Sequence, residues 1–285
     1  MTVARKPDLS DSDLGEFVFT NADFQTIAEL VHRHAGIVLG PSKRSMVYSR
    51  LSRRLRELNL KRFDDYCRLL QAPEGANEFL AFSNAMTTNL TRFFREKHHF
   101  DFLQGTIIPK IKQSADERRL RIWSAGCSSG EEPYSIAMTL LEHFPELSRW
   151  DARILATDLD TNMLSHGSKG LYAHDALGDV PKPYHERYFT ATSAGLVAKE
   201  GMRKLIAFKS LNLLEKWPIK GPFDVIFCRN VMIYFDNPTK NDLVRRYAKL
   251  LRVGGWLVVG HSETLLDQQS LFKSCGRTIY QKVGA

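Results

Sequence analysis

Trp123-Ser124-Ala125-Gly126-Cys127-Ser128-Ser129-Gly130-Glu131-Glu132-Pro133-Tyr134 follows an apolar run, Leu120 to Trp123. It precedes apolar residues at helical spacing: Ile136, Ala137, Leu140, Leu141 and Phe144. A strand therefore feeds a glycine-bearing turn, and the turn opens a helix. Pro133 suits a first helical turn, where no N–H is needed. Glu131 and Glu132 sit where the positive end of the helix dipole favours carboxylates. Such a strand–turn–helix unit is a common holder of nucleotide-like cofactors.

Downstream the pattern alternates. Strands are expected at 153–158, 206–210, 223–228, 255–260 and 278–282, with helices at 132–144, from Asp160, and at 239–251. Alternation of this kind predicts an α/β fold with a doubly wound, mostly parallel sheet. Its ligands belong at the carboxyl ends of the strands. Residues 169–204 break the rhythm with Pro181, Pro183 and short alternating runs. They read as a small antiparallel β-subdomain inserted at the edge of the sheet.

Upstream the chain reads as helical. Residues 1–17 are polar and aperiodic, a flexible tail. Thr20 to Asp23 can cap a helix carrying Phe24, Ile27, Leu30 and Val31, which Gly36 ends. Residues 42–60 are the most basic segment. Val47, Leu51, Leu55 and Leu58 form one stripe, and Lys43, Arg50, Arg53, Arg54 and Arg56 face away from it or flank it, against Glu57 alone. Solvation needs fewer cations than that, so a binding face for an acidic surface is expected. Two short helices follow, at 64–70 and 78–86. A polar segment, 87–96, leads into a long helical pattern from Phe100 to Ile111 and a polar loop at 113–119. The domains expected are a tail (1–17), a helical domain (18–90) and a cofactor-binding domain (91–285).

Composition bounds the class. The 285 residues, 43% hydrophobic and 25% charged, fit a soluble globular protein of one or two domains. Cys67, Cys127, Cys228 and Cys275 contain no C-x-x-C pair, which argues against a zinc site or disulfide framework and fits a reducing compartment. Arg5 and Lys6 are followed by acidic residues, unlike a signal peptide. No apolar stretch approaches the roughly 18 residues a membrane span needs. A cytoplasmic protein is expected. The formal charge of +8 points to an acidic or polyanionic partner.

Asp158 ends the second strand and can accept hydrogen bonds from ribose hydroxyls; capping the next helix is the competing role. Gly126-x-x-x-Gly130 lacks the middle glycine of a dinucleotide fingerprint, and Glu131-Glu132 would repel a pyrophosphate. A phosphate-free, cationic cofactor fits better, and S-adenosylmethionine is one. Asn212 can bond an adenine edge and Leu213 can cover its face. Arg229, Asn230 and Tyr234 follow the apolar strand 223–228, where a ligand belongs.

These motifs resemble the chemotaxis receptor glutamate O-methyltransferases, the CheR family. The resemblance rests on residues 87–96 (Thr87-Thr-Asn-Leu-Thr-x-Phe-Phe-Arg-Glu96), 124–135, Asn212-Leu-Leu, 223–235 and Gly260-His-Ser-Glu263, and runs from about residue 20 to the end. It implies a helical receptor-recognition domain. It also implies a Rossmann-like class I S-adenosylmethionine-dependent methyltransferase domain with the inserted β-subdomain. Asn89, Thr91, Arg95, Glu132, Asp158, Asn212, Leu213, Arg229 and Asn230 would line the cofactor. Arg95 and Tyr234 would lie near the reacting methyl. The product would be S-adenosylhomocysteine, with the methyl on receptor glutamates as γ-methyl esters and no metal. The β-subdomain would contact the receptor. In some members it grips a C-terminal peptide tether, but here the segment after Arg187-Tyr-Phe189 is short. The implied partner of Lys43, Arg50, Arg53, Arg54 and Arg56 is the acidic helical methylation region of receptors, to whose membrane arrays a cytoplasmic monomer would be recruited.

Chemistry agrees with this expectation. A glutamate is already ionised at neutral pH, so no general base is needed, and positioning and desolvation carry the rate. His98-His99 and His261-Ser262-Glu263 read as local structure. Two alternatives stay open: a nucleic-acid methyltransferase, although Arg229-Asn-Val-Met replaces the Pro-Pro-Tyr of amino-directed DNA enzymes, and a non-catalytic S-adenosylmethionine-binding regulator.

Overall fold

The computed structural model of the chain describes residues 15–114, 118–265 and 270–284. They divide between Thr87 and Thr88 into two units, so Asn89 and Leu90 belong with the second unit rather than the first.

In the first unit, α1 (Asn21–Ala35) opens with a capping box. The Thr20 hydroxyl accepts the Asp23 N–H at 3.1 Å and the Asp23 carboxylate accepts the Thr20 N–H at 2.8 Å. With α2 (Arg44–Glu57), α3 (Phe63–Gln71) and α4 (Ala76–Met86) it encloses Ile27, Val47, Leu51, Leu55, Phe63, Tyr66 and Phe82, all buried. Residues 1–14 of the expected tail lie outside the described residues. Its end is packed rather than loose: Phe17 is buried, edge-on to Phe63 at 6.4 Å. An aromatic ring near a polar tail carries enough apolar area to dock it.

The cations of α2 are not the uniform face expected. Arg50 Nη1 donates to the Met86 and Thr87 carbonyls at 2.9 and 2.8 Å, satisfying the end of α4. Arg54 pairs with the buried Glu78 at 2.5 Å, and Glu78 also accepts from Tyr66 Oη at 2.7 Å. These two half-buried arginines tie elements of the unit together. Arg53 (side chain 81% exposed) pairs with Glu57, and Arg56 (57%) with Glu16, each at 2.9 Å. Lys43 is exposed. Glu16 and Glu78 come from outside the 42–60 segment, which is why a linear count found Glu57 alone. Residues 1–87 in fact hold 12 Lys+Arg against 11 Asp+Glu, so the surplus charge resides in residues 88–285, with 28 against 21. Arg54→Ala is expected to destabilise the chain by about 2 kcal/mol, since it strands a buried carboxylate at a partly solvated edge. Urea unfolding of the full chain measures this.

The second unit opens with a continuous helical stretch: α5 (His98–Phe102), a π-helical turn (Leu103–Ile107) and α6 (Ile108–Ser114). The π turn's extra residue keeps Leu103, Ile107, Ile108 and Ile111 all buried. Residues 115–117 of the expected loop are outside the described residues. The α/β part then runs β1 (Arg119–Ala125), α7 (Glu131–His143), β2 (Asp151–Asp158) and α8 (Thr161–Lys169). The insertion follows: β3 (Leu171–Tyr172), α9 (Lys182–Tyr188), β4 (Phe189–Thr192), β5 (Gly195–Ala198) and α10 (Glu200–Arg203). The chain closes with β6 (Ile206–Ser210), β7 (Phe223–Cys228), α11 (Asn237–Leu250), β8 (Leu251–Val259), β9 (Phe272–Gly276) and β10 (Ile279–Lys282).

The main sheet has the order β6-β2-β1-β7-β8-β10-β9. Its first five strands are parallel; β10 and β9 join antiparallel. The β9 strand has no counterpart in the sequence reading: only Phe272 of its five residues is buried, so no apolar pattern marks it. The inserted strands form an antiparallel sheet, β3-β5-β4. Period-two alternation feeds two layers. Ile122, Val225, Phe227 and Val258 face one apolar cluster with Leu103, Ile136 and Leu140. Trp123, Ile226, Leu257 and Val259 face the other with Leu243, Val244 and Tyr247. Strand order reverses between β1 and β7, and the crevice at their carboxyl ends is where such sheets bind ligands.

Candidate functional site

The turn after β1 is shaped by close approach. Gly126 has φ +85°, and a Cβ there would lie 2.3 Å from Val231 Cγ2, in the loop after β7. Gly130 caps α7 with φ +99°. Any side chain at Gly126 would push the two loops apart, so the glycine sets the width of the crevice.

Across that crevice stands a buried charge network. Glu132, in the first turn of α7, accepts from Ser124 Oγ at 2.6 Å and from Arg229 Nη1 at 2.9 Å. Arg229, with a side chain 3% exposed, also donates to the Arg95 carbonyl, lies 3.4 Å from Glu96 Oε2 and stacks over Phe100 at 5.7 Å. Glu96 Oε1 faces Asn230 Nδ2 at 3.2 Å and His261 Nδ1 at 3.1 Å. Burial works against ionising Glu96, but Arg229 and these hydrogen bonds outweigh it and hold the carboxyl at about 2. Each oxygen of Glu132 accepts one hydrogen bond, and the pair with Arg229 ties the start of α7 to the loop after β7.

Asp158 lies at the end of β2. Its carboxylate accepts the Ser128 N–H at 2.7 Å and the Asp160 N–H at 2.9 Å. Burial pushes its carboxyl above the usual range, against the pull of those N–H groups. The capping role belongs to Asp160, whose Oδ1 accepts the Asn162 and Met163 N–H groups. The two carboxylates are thus separated by task. Asn89 Nδ2 donates to Asp160 Oδ2 at 2.7 Å, and Ser128 Oγ donates to the Asn89 carbonyl at 3.0 Å. The 88–96 segment is thereby laced to the glycine turn, with Thr91 half-buried within it.

Other expected residues sit in less direct positions. Arg95 Nη1 donates to the Leu90 carbonyl at 2.8 Å. Tyr234 is half-buried and packs against the second apolar cluster. Asn212 Oδ1 accepts the Leu214 N–H at 3.0 Å and its Nδ2 faces Glu215 at 3.1 Å. Leu213 is buried, and its carbonyl accepts from Trp217 Nε1 and Arg246 Nη1. Arg246 itself lies over the Trp217 ring at 3.8 Å. Ser124, Ser128, Glu96, Asp160 and Arg246 were not among the expected residues. The contacts that tie them into the site reach from 8 residues along the chain, for Ser124 and Glu132, to 165, for Glu96 and His261, and no spacing rule marks them.

His98 and His99 are not a free pair. His99 is buried, its Nε2 against the Arg277 carbonyl at 3.0 Å. With Glu96 they bring ligand-type atoms within 4.8 Å of one another, but the Arg229 guanidinium already sits at that carboxylate. His261 and Glu263 do not meet as a triad; each grips a different group.

Residues 22–87 match the model described as "CheR methyltransferase, all-alpha domain", and 89–281 match "CheR methyltransferase, SAM binding domain". A chemotaxis protein methyltransferase 2 of Pseudomonas aeruginosa is 45% identical over 93% of this chain and 94% of its own length. A chemotaxis protein methyltransferase of Escherichia coli is 43% identical over 92% and 91%. A probable chemotaxis protein methyltransferase of Rhizobium etli is 42% identical over 88% and 96%. Among the described residues no helix is long and apolar enough to cross a membrane.

Proposed function

The chain belongs to the CheR methyltransferase family, and from that premise we propose that it methylates glutamate side chains of chemotaxis receptors, using S-adenosylmethionine. The observation that carries this reading is the Arg229–Glu132 pair across the crevice, which joins the loop holding Arg229, Asn230 and Tyr234 to the start of α7. The chain offers a cradle that suits a phosphate-free nucleoside: a turn too tight for a Cβ, and a carboxylate, Asp158, at the strand end. Asp158 would hold the ribose, with Asn89, Thr91, Asn212 and Leu213 around the nucleoside.

When bound, S-adenosylmethionine supplies an activated methyl group and a neutral thioether leaving group. The receptor carboxylate is ionised at neutral pH. Such a carboxylate, held against the methyl, would accept it as an ester with no general base from the chain. Arg95, Tyr234 and the loop after β7 would orient the acceptor and exclude water, which are the contributions such a displacement needs. Relatives named as chemotaxis protein methyltransferases support the acceptor class.

On the helical unit, Lys43, Arg53 and Arg56 remain exposed for an acidic receptor surface. The exposed pairs of Arg53 with Glu57 and of Arg56 with Glu16 are screened by solvent and exchange readily for a partner's carboxylates. Charge reversal at both Arg53 and Arg56 is expected to cut receptor methylation about tenfold or more, with S-adenosylhomocysteine affinity unchanged. A parallel loss of cofactor affinity would refute a separate recognition surface. The activity itself is tested with methyl-labelled S-adenosylmethionine and receptor-containing membranes. Label released by base as methanol is the expected result. Base-stable label, or label on nucleic acid alone, overturns the assignment.

A further inference from the structure

Glu263 is a buried carboxylate, 4% exposed, in the turn that follows β8. Its partners are backbone groups at the end of two different strands. Oε2 accepts the Gly260 N–H at 2.6 Å and the Asn230 N–H at 2.8 Å; Oε1 accepts the Ile233 N–H at 3.0 Å. The carboxylate thus spans the loop between β7 and α11, which carries Arg229, Asn230 and Tyr234. Asn230 has φ +59°, and asparagine is among the few residues that tolerate that conformation. Its side chain is held from the other side by Glu96. A Cβ on Gly260 would lie 2.5 Å from Asn230 Nδ2 and 2.9 Å from Glu263 Oε2, so the grip requires glycine there.

A loop of this kind has N–H groups that strand pairing leaves unmet. An ionised carboxylate satisfies three at once, with charge-assisted bonds roughly twice as strong as neutral ones. We propose that Glu263 is a positioning residue for methyl transfer: it sets the backbone from Asn230 to Ile233 and thereby the placement of Arg229, Asn230 and Tyr234. This rests on the activity proposed above. The hydrogen bonds to the carboxylate come from backbone N–H groups, so its effect runs through the loop.

Glu263→Gln is the test, in the full chain. The amide keeps the shape but turns one acceptor into a donor facing N–H groups. Hydrogen exchange at the Asn230 and Ile233 amides is expected to speed up about tenfold, with the β1 and β7 amides unchanged. At saturating S-adenosylmethionine, kcat for receptor methylation is expected to fall on the order of 50-fold with KM for the receptor within about threefold, as a misplacement near 1 Å would produce. Tyr234→Phe should lower kcat in the native background and add nothing in the Glu263→Gln background, because the phenol is already displaced. A folded Glu263→Gln with kcat within threefold of native, additive losses, or unchanged amide exchange each overturns the proposal. Should the glutamine variant fail to fold, Glu263→Asp keeps the charge but shortens the reach, and the same exchange and kcat readings decide. A native chain that labels no receptor carboxylate defeats the activity; unchanged amide exchange in the variant then still defeats the loop grip separately.

Discussion

Arg229→Met is expected to be the most damaging single substitution in the chain. Glu132, buried, and Glu96, largely covered, would lose their shared cation. Breaking a buried pair by removing one partner costs about 3–5 kcal/mol, and for a domain of this size that lowers the melting temperature by roughly 10 °C. Receptor methylation should fall more than about 100-fold, since both the loop after β7 and the 88–96 segment lose an anchor. Adding Glu132→Gln should recover part of the stability, because one of the stranded charges is then gone. A melting temperature within about 2 °C of native for Arg229→Met, on the same scale, would contradict the central place given to this pair.

The same network sets an acid limit. Burial, reinforced by Arg229, holds the His99 imidazole at about 3, below its ordinary value. Glu96 is held at about 2. Both folded values are depressed, so in each case the unfolded chain takes up the proton first. Stability is therefore fully present at neutral pH and falls as pH drops, beginning near 6.5 for His99 and near 4.5 for Glu96, and continuing to their folded values. Removing Arg229 takes away the charge that holds Glu96 low and lessens the depression of His99, which burial maintains. Arg229→Met should thus be less stable than the native chain at pH 7 and lose less of its remaining stability between pH 6.5 and 3, as thermal melts across that range would record.

Asp158→Asn is expected to abolish useful cofactor binding. The carboxylate accepts two N–H groups at the junction of the glycine turn and α8; an amide nitrogen there would face a donor. A buried unsatisfied donor costs about 1–3 kcal/mol, and a lost charge-assisted bond to a ribose hydroxyl a similar amount. S-adenosylhomocysteine affinity should fall about 100-fold or more by calorimetry, and the ligand should no longer raise the melting temperature. Because burial raises the Asp158 carboxyl above the usual range, protonation on acidification starts earlier than for an ordinary carboxylate. With the ionised form as the proposed acceptor of the ribose hydroxyls, affinity should weaken correspondingly early as pH falls. Native-like affinity in Asp158→Asn would remove this residue from the site.

How much of this was legible follows from the range of each interaction. Strand–turn–helix order, the parallel sheet, the inserted antiparallel strands and the cap at Thr20 are written in local periodicity and in Gly, Pro and Thr placement, because backbone geometry and apolar alternation act over a few residues. The glycine turn and Asp158 were readable for the same reason. Only Phe272 of the five β9 residues is buried, so that strand left no pattern to read.

The arginines show where local reading stops. Arg50, Arg53, Arg54 and Arg56 look alike on a helical wheel, yet Arg50 closes α4 and Arg54 neutralises Glu78, 24 residues away. A guanidinium's work depends on which carboxylate or carbonyl the fold brings within reach, and sequence spacing does not contain that. The Glu132–Arg229 pair spans 97 residues and the Glu263 grip on Asn230 spans 33. By itself the sequence determined the architecture and the family. The tertiary structure alone decided which charges face solvent and which bridge the crevice, because hydrogen bonds and ion pairs act over a few ångströms in space, whatever the distance along the chain.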